Sequence, residues 1–374
     1  MDKRVILAVA GAGKTYTICE KIDVNKKNLI LAFTNENIKN IKKEMNKMYG
    51  YIPELTTVMT FDSFKYRYIL CPYEPTILKH FNENHFIKRG ITLSNPPPRT
   101  ITVNGKTIPN KEYCKKENFN HYINSKNKYY CANLSELFLQ VRDNEQQIIR
   151  RISKNINDFF DCVMIDEFQD FRKHDFELIT QLAKNLDNVT LVGDYYQHSV
   201  SGKNNSGKPF KNKSKFITYD EFVSVLKKNK FLVDEVSLSG SRRCPKSICD
   251  FVRGKLNINI FANNNNTGNV IWVDENKAKE VMENNSITKL VYENSKEYSF
   301  NAINWSYSKG DTISDVCVIL IPSLDNIDNE IFDISVISQI TINKLYVALT
   351  RTDKNLYLMK SSIFDSVKSK YIIN

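Results

Sequence analysis

No stretch of this 374-residue chain reads as a membrane span. Crossing a bilayer takes ~20 consecutive apolar residues, and no run approaches that length. The apolar stretch near the start, Val5 to Ala10, is too short for a secretory leader and runs straight into a glycine-containing turn, so no leader is expected. The eight cysteines include no C-x-x-C pair, which points to reduced thiols in a cytoplasmic protein rather than a disulfide scaffold. Six potential ligands, Cys71, His80, His85, Cys114, His121 and Cys131, lie close in sequence, but their spacings fit no metal template. No internal repeat is evident, so a solenoid is not expected.

What is present is ordinary for a globular protein of two or three domains: 41% hydrophobic and 25% charged residues. Lys and Arg total 53 against 42 Asp and Glu, a formal charge of +11. With a sequence pI near 9.0, this suits a polyanionic partner such as nucleic acid. A bias toward Lys, Asn and Ile in the composition gives the same charge without any partner, so charge alone decides nothing.

The run AVAGAGKT at 8–15 carries the first chemical signal. It follows the apolar strand Val5–Val9 and precedes a helix start at Tyr16, and a strand, glycine turn and helix N-terminus in that order cradle phosphates. Gly11 and Gly13 let the backbone approach closely, and N–H groups from Ala12 to Thr15 can point at oxygen. Lys14 would reach the outer phosphates, and the Thr15 hydroxyl would hold Mg²⁺. The pattern has one departure: Ala8 stands where glycine is usual. A second run, MIDEFQD at 164–170, sets Asp166 and Glu167 at the end of a short apolar strand, Cys162–Ile165. Ligands of open α/β sheets bind at such ends. One carboxylate can hold the metal and the next can orient an attacking water.

Further strands are expected at 29–33, 57–61, 189–192 and 232–238, with helices after Thr34-Asn35 and at 219–229. From about 67 to 134 the pattern breaks: prolines stand at 96–98, and an Asn104-Gly105 turn sits between short β-like runs. This reads as an insertion. A helical stretch from Leu134 to Ile152 leads to the Asp-Glu strand. Residues 201–215 contain five lysines and read as a mobile surface loop, solvated or touching a phosphate backbone. Beyond about 240, strands near 269–273, 287–292, 316–321 and 355–359 alternate with helices at 245–254 and 340–349, which suggests a second parallel sheet. The expected division is a first domain at 1–240, with the insertion at about 67–134, and a second at 241–374.

In chain order the motifs are AVAGAGKT (8–15), LAFTNENIKNI (31–41), TVMTFDSF (57–64), MIDEFQD (164–170), LVGDYYQH (191–198), LSGSRRCPKSI (238–248), YSKGDTISDVCVI (307–319) and KLYVALTR (344–351). Over nearly its whole length the chain resembles the UvrD/Rep/PcrA group of superfamily 1 DNA helicases. The resemblance implies an α/β fold of two RecA-like P-loop NTPase domains with parallel sheets, and ATP with Mg²⁺ bound between them. It implies nucleotide contacts along Ala10, Gly11, Ala12, Gly13, Lys14 and Thr15, with Asp166 completing the metal site and Glu167 as the water-activating base. Gln169 and Gln197 would sense the nucleotide, and Arg243 and Arg351 would act as arginine fingers. A guanidinium that meets the γ-phosphoryl only on closure favours the transition state over the ground state. DNA contacts would come from Thr34, Asn35, Phe61, Ser63, Phe64, Tyr195, Tyr196 and His198, since aromatic faces stack on any base of a single strand. Core packing accounts equally well for Phe61 and Phe64.

The chain departs from that group in several places. Only seven residues precede Ala8, so the adenine-reading glutamine motif is missing. The family's Arg after the P-loop Thr and its Tyr before the fourth-motif Arg are here Tyr16 and Arg242, as if the two faces of an adenine sandwich had exchanged places. Asp311-Thr312 and Ser306 depart from the fifth motif. The large insertion of unwinding relatives is lacking, with about fifty residues between Arg253 and Trp305. The expected function is an ATP-dependent translocase or helicase on single-stranded DNA or a tailed duplex, moving 3′→5′. The alternative is a regulatory ATPase subunit that uses the helicase fold as a nucleotide-sensing switch for a partner nuclease or other effector protein. A P-loop kinase would leave the Gln and Arg motifs without a role.

Overall fold

The computed structural model describes residues 2–83, 90–143, 146–172, 174–198, 209–212 and 215–373. Six strands form one sheet: β1 (Asp2–Ala8), β2 (Asn28–Ala32), β3 (Thr56–Thr60), β4 (Cys162–Ile165), β5 (Asn188–Gly193) and β6 (Leu232–Leu238). Their order is β6-β1-β5-β4-β2-β3, and β5, β4, β2 and β3 run parallel. Every residue of β2 is buried, as a continuous apolar run in a parallel sheet demands. Five strands form a second sheet: β7 (Val270–Val273), β8 (Ile287–Val291), β9 (Ala302–Asn304), β10 (Asp315–Ile319) and β11 (Leu356–Met359). Here the order is β7-β11-β10-β8-β9, and all pairs are parallel. The α/β class with parallel sheets expected from the sequence is the class observed.

Packing divides the chain into two units. The first comprises Met1–Val5, Thr15–Val192 and Val200–Val233. The second comprises Ile6–Lys14, Gly193–Ser199 and Asp234–Asn374. In the first, helix Asn35–Tyr49 starts at Thr34, whose hydroxyl accepts from the Asn37 N–H at 3.1 Å, and ends at Gly50 with φ 78°. Ile41 and Met45 bury its apolar stripe. In the second, helices Glu275–Glu283 and Ser361–Val367 pack Val281, Met282 and Phe364 into one core with Cys317, Ile319 and Met359.

Part of the stretch 67–134 follows expectation: Thr100–Val103 pairs antiparallel with Lys106–Pro109 around Asn104 (φ 51°) and Gly105 (φ 76°). Two consecutive positive φ angles are what a tight hairpin turn requires. Two expectations are corrected. Residues 65–80 are helical, with a wide π turn at Lys65–Leu70 running into helix Cys71–His80. Pro72 stands in the first turn of that helix, where Pro is tolerated, and Pro75 lies inside it. The stretch 134–152 is not one helix. Leu134–Gln140 and Ile149–Phe159 are separate, with Arg142–Asp143 paired to Gln146–Gln147 between them. Residues 142–147 are all polar, so a helix there would have no face to bury. His85 and residues 201–208, 213 and 214 of the lysine-bearing loop lie outside the described residues. No helix among the described residues is long and apolar enough to cross a membrane.

Candidate functional site

Five of the motifs place residues just after the C-terminal end of a strand: 9–15 after β1, Thr34 after β2, Phe61 after β3, Asp166 after β4 and Asp194 after β5. That is where an open α/β sheet offers ligands a crevice. In the second unit, the loop from Val9 to Lys14 turns on Gly11 (φ 71°) and Gly13 (φ 88°). A Cβ on Gly11 would stand 2.7 Å from the Arg243 Cβ and 2.8 Å from the Ser241 Oγ. No side chain fits there, and the left-handed φ disfavours one independently. The Arg242 N–H donates to the Gly11 carbonyl at 2.8 Å, and the Arg242 guanidinium lies beside Gly13. Ala8 is buried at the end of β1, Ala12 is buried within the loop, and Lys14 is half-buried.

In the first unit, the half-buried Thr15 donates its hydroxyl proton to Asp166 Oδ2 at 3.1 Å. Asp166 is buried, and its other oxygen accepts from the Glu167 N–H at 2.9 Å. Glu167 has φ 54° and ψ 43°, the left-handed region, which no sequence pattern announced. A non-glycine residue held there is strained, and such strain gathers at functional positions. The Gln169 side-chain amide donates to the Glu167 carboxylate. Gln169 is buried and Tyr16 half-buried. Two cis ligands of an octahedral magnesium ion, each at ~2.1 Å, stand about 3.0 Å apart, so the Thr15–Asp166 separation fits the ion.

The arginines of the second unit are turned inward. Arg243 Nη1 donates to the Thr350 carbonyl at 3.1 Å. Arg351 is 1% exposed and donates to the carbonyls of Val347 at 2.8 Å and Ser308 at 3.3 Å, and to the Thr350 hydroxyl at 3.3 Å. Burial, and secondarily the charge of Arg243, lowers the Arg351 pKa to about 10, and burial lowers Arg243 as well. Both are still cationic at neutral pH. Sequence reasoning missed Tyr346. Its hydroxyl accepts from the Ala10 N–H at 2.7 Å and donates to Asp194 Oδ2 at 3.2 Å, and Gln197 Nε2 donates to the same oxygen at 2.7 Å. Its place within the expected KLYVALTR run was the available signal.

The candidate DNA contacts divide by exposure. Thr34 and Asn35 are exposed, and Ser63 and Tyr196 half-buried. Phe61 and Phe64 are 0% and 1% exposed, in an aromatic cluster with Phe33 and Phe171. Tyr195 and His198 are also buried. These four present no open face for a base to stack on. Behind the cluster, the buried Lys65 pairs with Asp62 at 3.2 Å and Asp175 at 3.1 Å, and Arg172 closes on Asp62. Burial works to raise the Asp62 pKa, but the two cations outweigh it and hold that carboxyl below its usual range.

Of the potential metal ligands, His121 and Cys131 are otherwise placed. His121 Nδ1 meets the Cys114 carbonyl at 2.7 Å and its Nε2 meets Glu136 at 3.0 Å. Cys131 is buried, which pushes its thiol up to about 11. All eight cysteines are free thiols. Among the described residues, no group of three or more His, Cys, Asp or Glu is placed to hold a metal ion.

Fold and loop together define the class as the P-loop α/β proteins. A family comparison is narrower: the AAA domain family matches residues 2–203, more than half of the chain, and the chain belongs to it. No curated protein matches the sequence. Similar solved structures include one described as the structure of PRRSV helicase, 12% identical with a TM-score of 0.43, covering 99% of this chain and 54% of that one. Arterivirus nonstructural protein 10 (helicase) in complex with DNA is 12% identical with a TM-score of 0.45, covering 95% of this chain and 60% of that one. The same protein described without DNA gives 12%, 0.45, 95% and 59%. The chain spans less than two thirds of the length of each.

Proposed function

We propose that the chain is an ATP-dependent translocase or helicase of the superfamily 1 type that acts on single-stranded DNA or a tailed duplex. The domains are 1–240, which holds the nucleotide, and 241–374, which carries Arg243 and Arg351. The observation that carries this reading is the buried Arg351 and the half-buried Arg243, both bonded only to uncharged oxygens, in a chain whose phosphate loop has no room for a side chain at Gly11. A buried cation bonded only to neutral dipoles is poorly compensated, and a phosphoryl group is the anion that such donors suit.

In this reading the loop amides and Lys14 bind the outer phosphates, and Thr15 and Asp166 hold the magnesium ion. Bound there, the ion would neutralise phosphate oxygens and polarise the terminal phosphoryl group. Glu167 accepts the proton of the attacking water, Gln169 fixes the Glu167 carboxylate, and Gln197 senses the terminal phosphate. Tyr16 and Arg242 hold the base. Movement runs 3′→5′, as the family resemblance suggests.

A second reading has a specific observation in its favour. With Phe61, Phe64, Tyr195 and His198 buried, the stacking surface is reduced to exposed polar groups and Tyr196. That suits an ATPase subunit that signals to a partner protein. Phosphate release measured with and without single-stranded DNA separates the two. The motor reading expects strong stimulation, abolished in Lys14→Ala; a rate indifferent to DNA sinks it. Strand displacement on 3′-tailed against 5′-tailed duplex tests the direction.

A further inference from the structure

One phenol bonds both the phosphate loop and the Gln197 segment. Tyr346 sits on helix Gln339–Leu349 and is 0% exposed. Ala10 offers an N–H, so the phenolic oxygen accepts there, at 2.7 Å. Its single proton is then committed to Asp194 Oδ2, at 3.2 Å. The same carboxylate also accepts from Gln197 Nε2 at 2.7 Å and from the Tyr196 N–H at 3.0 Å. Three donors therefore meet on one buried carboxylate. Burial, and then the charge of Asp194, pushes the Tyr346 pKa well up, so the phenol keeps the proton that the chain of bonds requires. The donor–acceptor direction is thus fixed from loop to glutamine. One turn earlier, Asn343 Nδ2 donates to the His198 carbonyl at 3.3 Å, a second tie from the same helix to the same segment.

We propose that Tyr346 is a positioning residue that couples the backbone of the phosphate loop, at Ala10, to the orientation of Gln197. The proposal rests on the ATPase reading above. When the loop shifts around a triphosphate, the Ala10 N–H moves, Asp194 is re-aimed through two hydrogen bonds, and Gln197 through a third. The phenol touches neither substrate nor metal; it acts through Gln197. The aromatic ring has a separate packing role against Tyr196, with centroids 5.7 Å apart, which phenylalanine preserves.

Tyr346→Phe therefore removes the coupling and keeps the packing. We expect kcat for ATP to fall about tenfold while KM changes less than about threefold, the signature of a lost transition-state interaction. Gln197→Ala should cost much less in the Tyr346→Phe background than in the wild type, because two members of one chain are not additive. Without nucleotide, backbone hydrogen exchange of the peptide containing Ala10 should speed up in Tyr346→Phe. Asp194→Asn, which exchanges one acceptor oxygen for a donor, should reproduce the pattern should the first variant fold poorly. Wild-type kinetics in Tyr346→Phe, or independent effects of the two substitutions, would overturn the proposal. If the wild-type chain hydrolyses no nucleotide, the functional reading fails, and the exchange experiment still decides the link: unchanged protection at Ala10 refutes it.

Discussion

Arg243 and Arg351 meet at Thr350: the first donates to its carbonyl at 3.1 Å and the second to its hydroxyl at 3.3 Å. Two guanidiniums close on one residue, and neither forms an ion pair among the described residues. Two like charges held close without a counter-ion are electrostatically unfavourable. Burial and mutual repulsion are what depress the Arg351 pKa.

Arg351→Met tests whether that charge is kept for a phosphate or for the fold. A partnerless buried charge replaced by an apolar side chain of similar size is often neutral or stabilising. The nucleotide-free variant should unfold within a few degrees of the wild type, or above it, while turnover falls about 10³-fold or more. Arg351→Lys should not restore turnover, because a lysine lacks the planar fork. A large drop in the unfolding temperature together with intact turnover would assign Arg351 to the architecture alone.

Glu167 makes an opposite prediction about stability and activity. Its φ of 54° is strained for any side chain, most of all a β-branched one. Glu167→Gly should lose turnover yet match or exceed wild-type stability in urea. Glu167→Val should be less stable than Glu167→Gly by roughly 1–2 kcal/mol. Glu167→Gln should bind nucleotide and fail to turn it over. Equal stability of the Gly and Val variants would show that the backbone relaxes and that no strain is stored there.

Much of this was legible in the chain. The apolar run 162–165 and the longer run 232–238 matched their strands residue for residue, because a strand between polar turns has clear ends. The loop at 9–15 was legible because glycine spacing reports backbone approach. Other features carried no pattern. The strand Ala302–Asn304 is three residues long, too short for any period to show. An aromatic residue at a motif position reads the same whether it stacks on a base or on Phe171, so the burial of Phe61 and Phe64 needed three dimensions. Tyr346 looked like one more apolar residue of a buried helix, since its role lies in a single oxygen whose partners stand 336 and 152 residues away. The left-handed backbone at Glu167 likewise comes from tertiary constraint, as nothing in Asp-Glu-Phe-Gln demands it.

A carboxylate bridging two imidazoles gives the first unit a pH dependence with a definite sign. Glu136 meets His121 at 3.0 Å and His174 at 3.4 Å, and His174 also meets Glu177 at 3.3 Å. The hydrogen bond to Glu136 is the chief cause that raises the His174 pKa, and the two histidines hold the Glu136 carboxyl far below its usual value. A raised histidine pKa gives stability that is complete below the unfolded value of ~6.5 and lost as pH climbs through the folded one. The depressed carboxylate gives stability present above ~4.3 and lost only in strong acid. The unfolding temperature should therefore fall between pH 6 and pH 8.5, and His174→Gln should flatten that fall. An unchanged slope in the variant would show that the bridge contributes nothing.

The run Asn263–Asn266 grips the loop that carries both candidate arginines of the fourth motif. Asn264 Nδ2 donates to the Ser241 carbonyl at 2.8 Å and the Cys244 carbonyl at 3.0 Å, and Asn266 Nδ2 donates to the Arg243 carbonyl at 2.7 Å. Three carbonyls around Arg243, those of Ser241, Arg243 and Cys244, are thereby held by asparagine side chains. Asn264→Ala takes the N–H donor from the Cys244 carbonyl, while the Ser241 carbonyl keeps the Asn263 N–H at 2.7 Å, and should cost about 1 kcal/mol of stability. If the grip matters for Arg243, kcat should fall further than the loss of folded protein explains, and Asn264→Asp should not rescue it, since a carboxylate has no N–H to give. A variant that loses stability but keeps its per-molecule kcat would reduce the asparagines to a structural brace, and would leave the placement of Arg243 to its bond with Thr350.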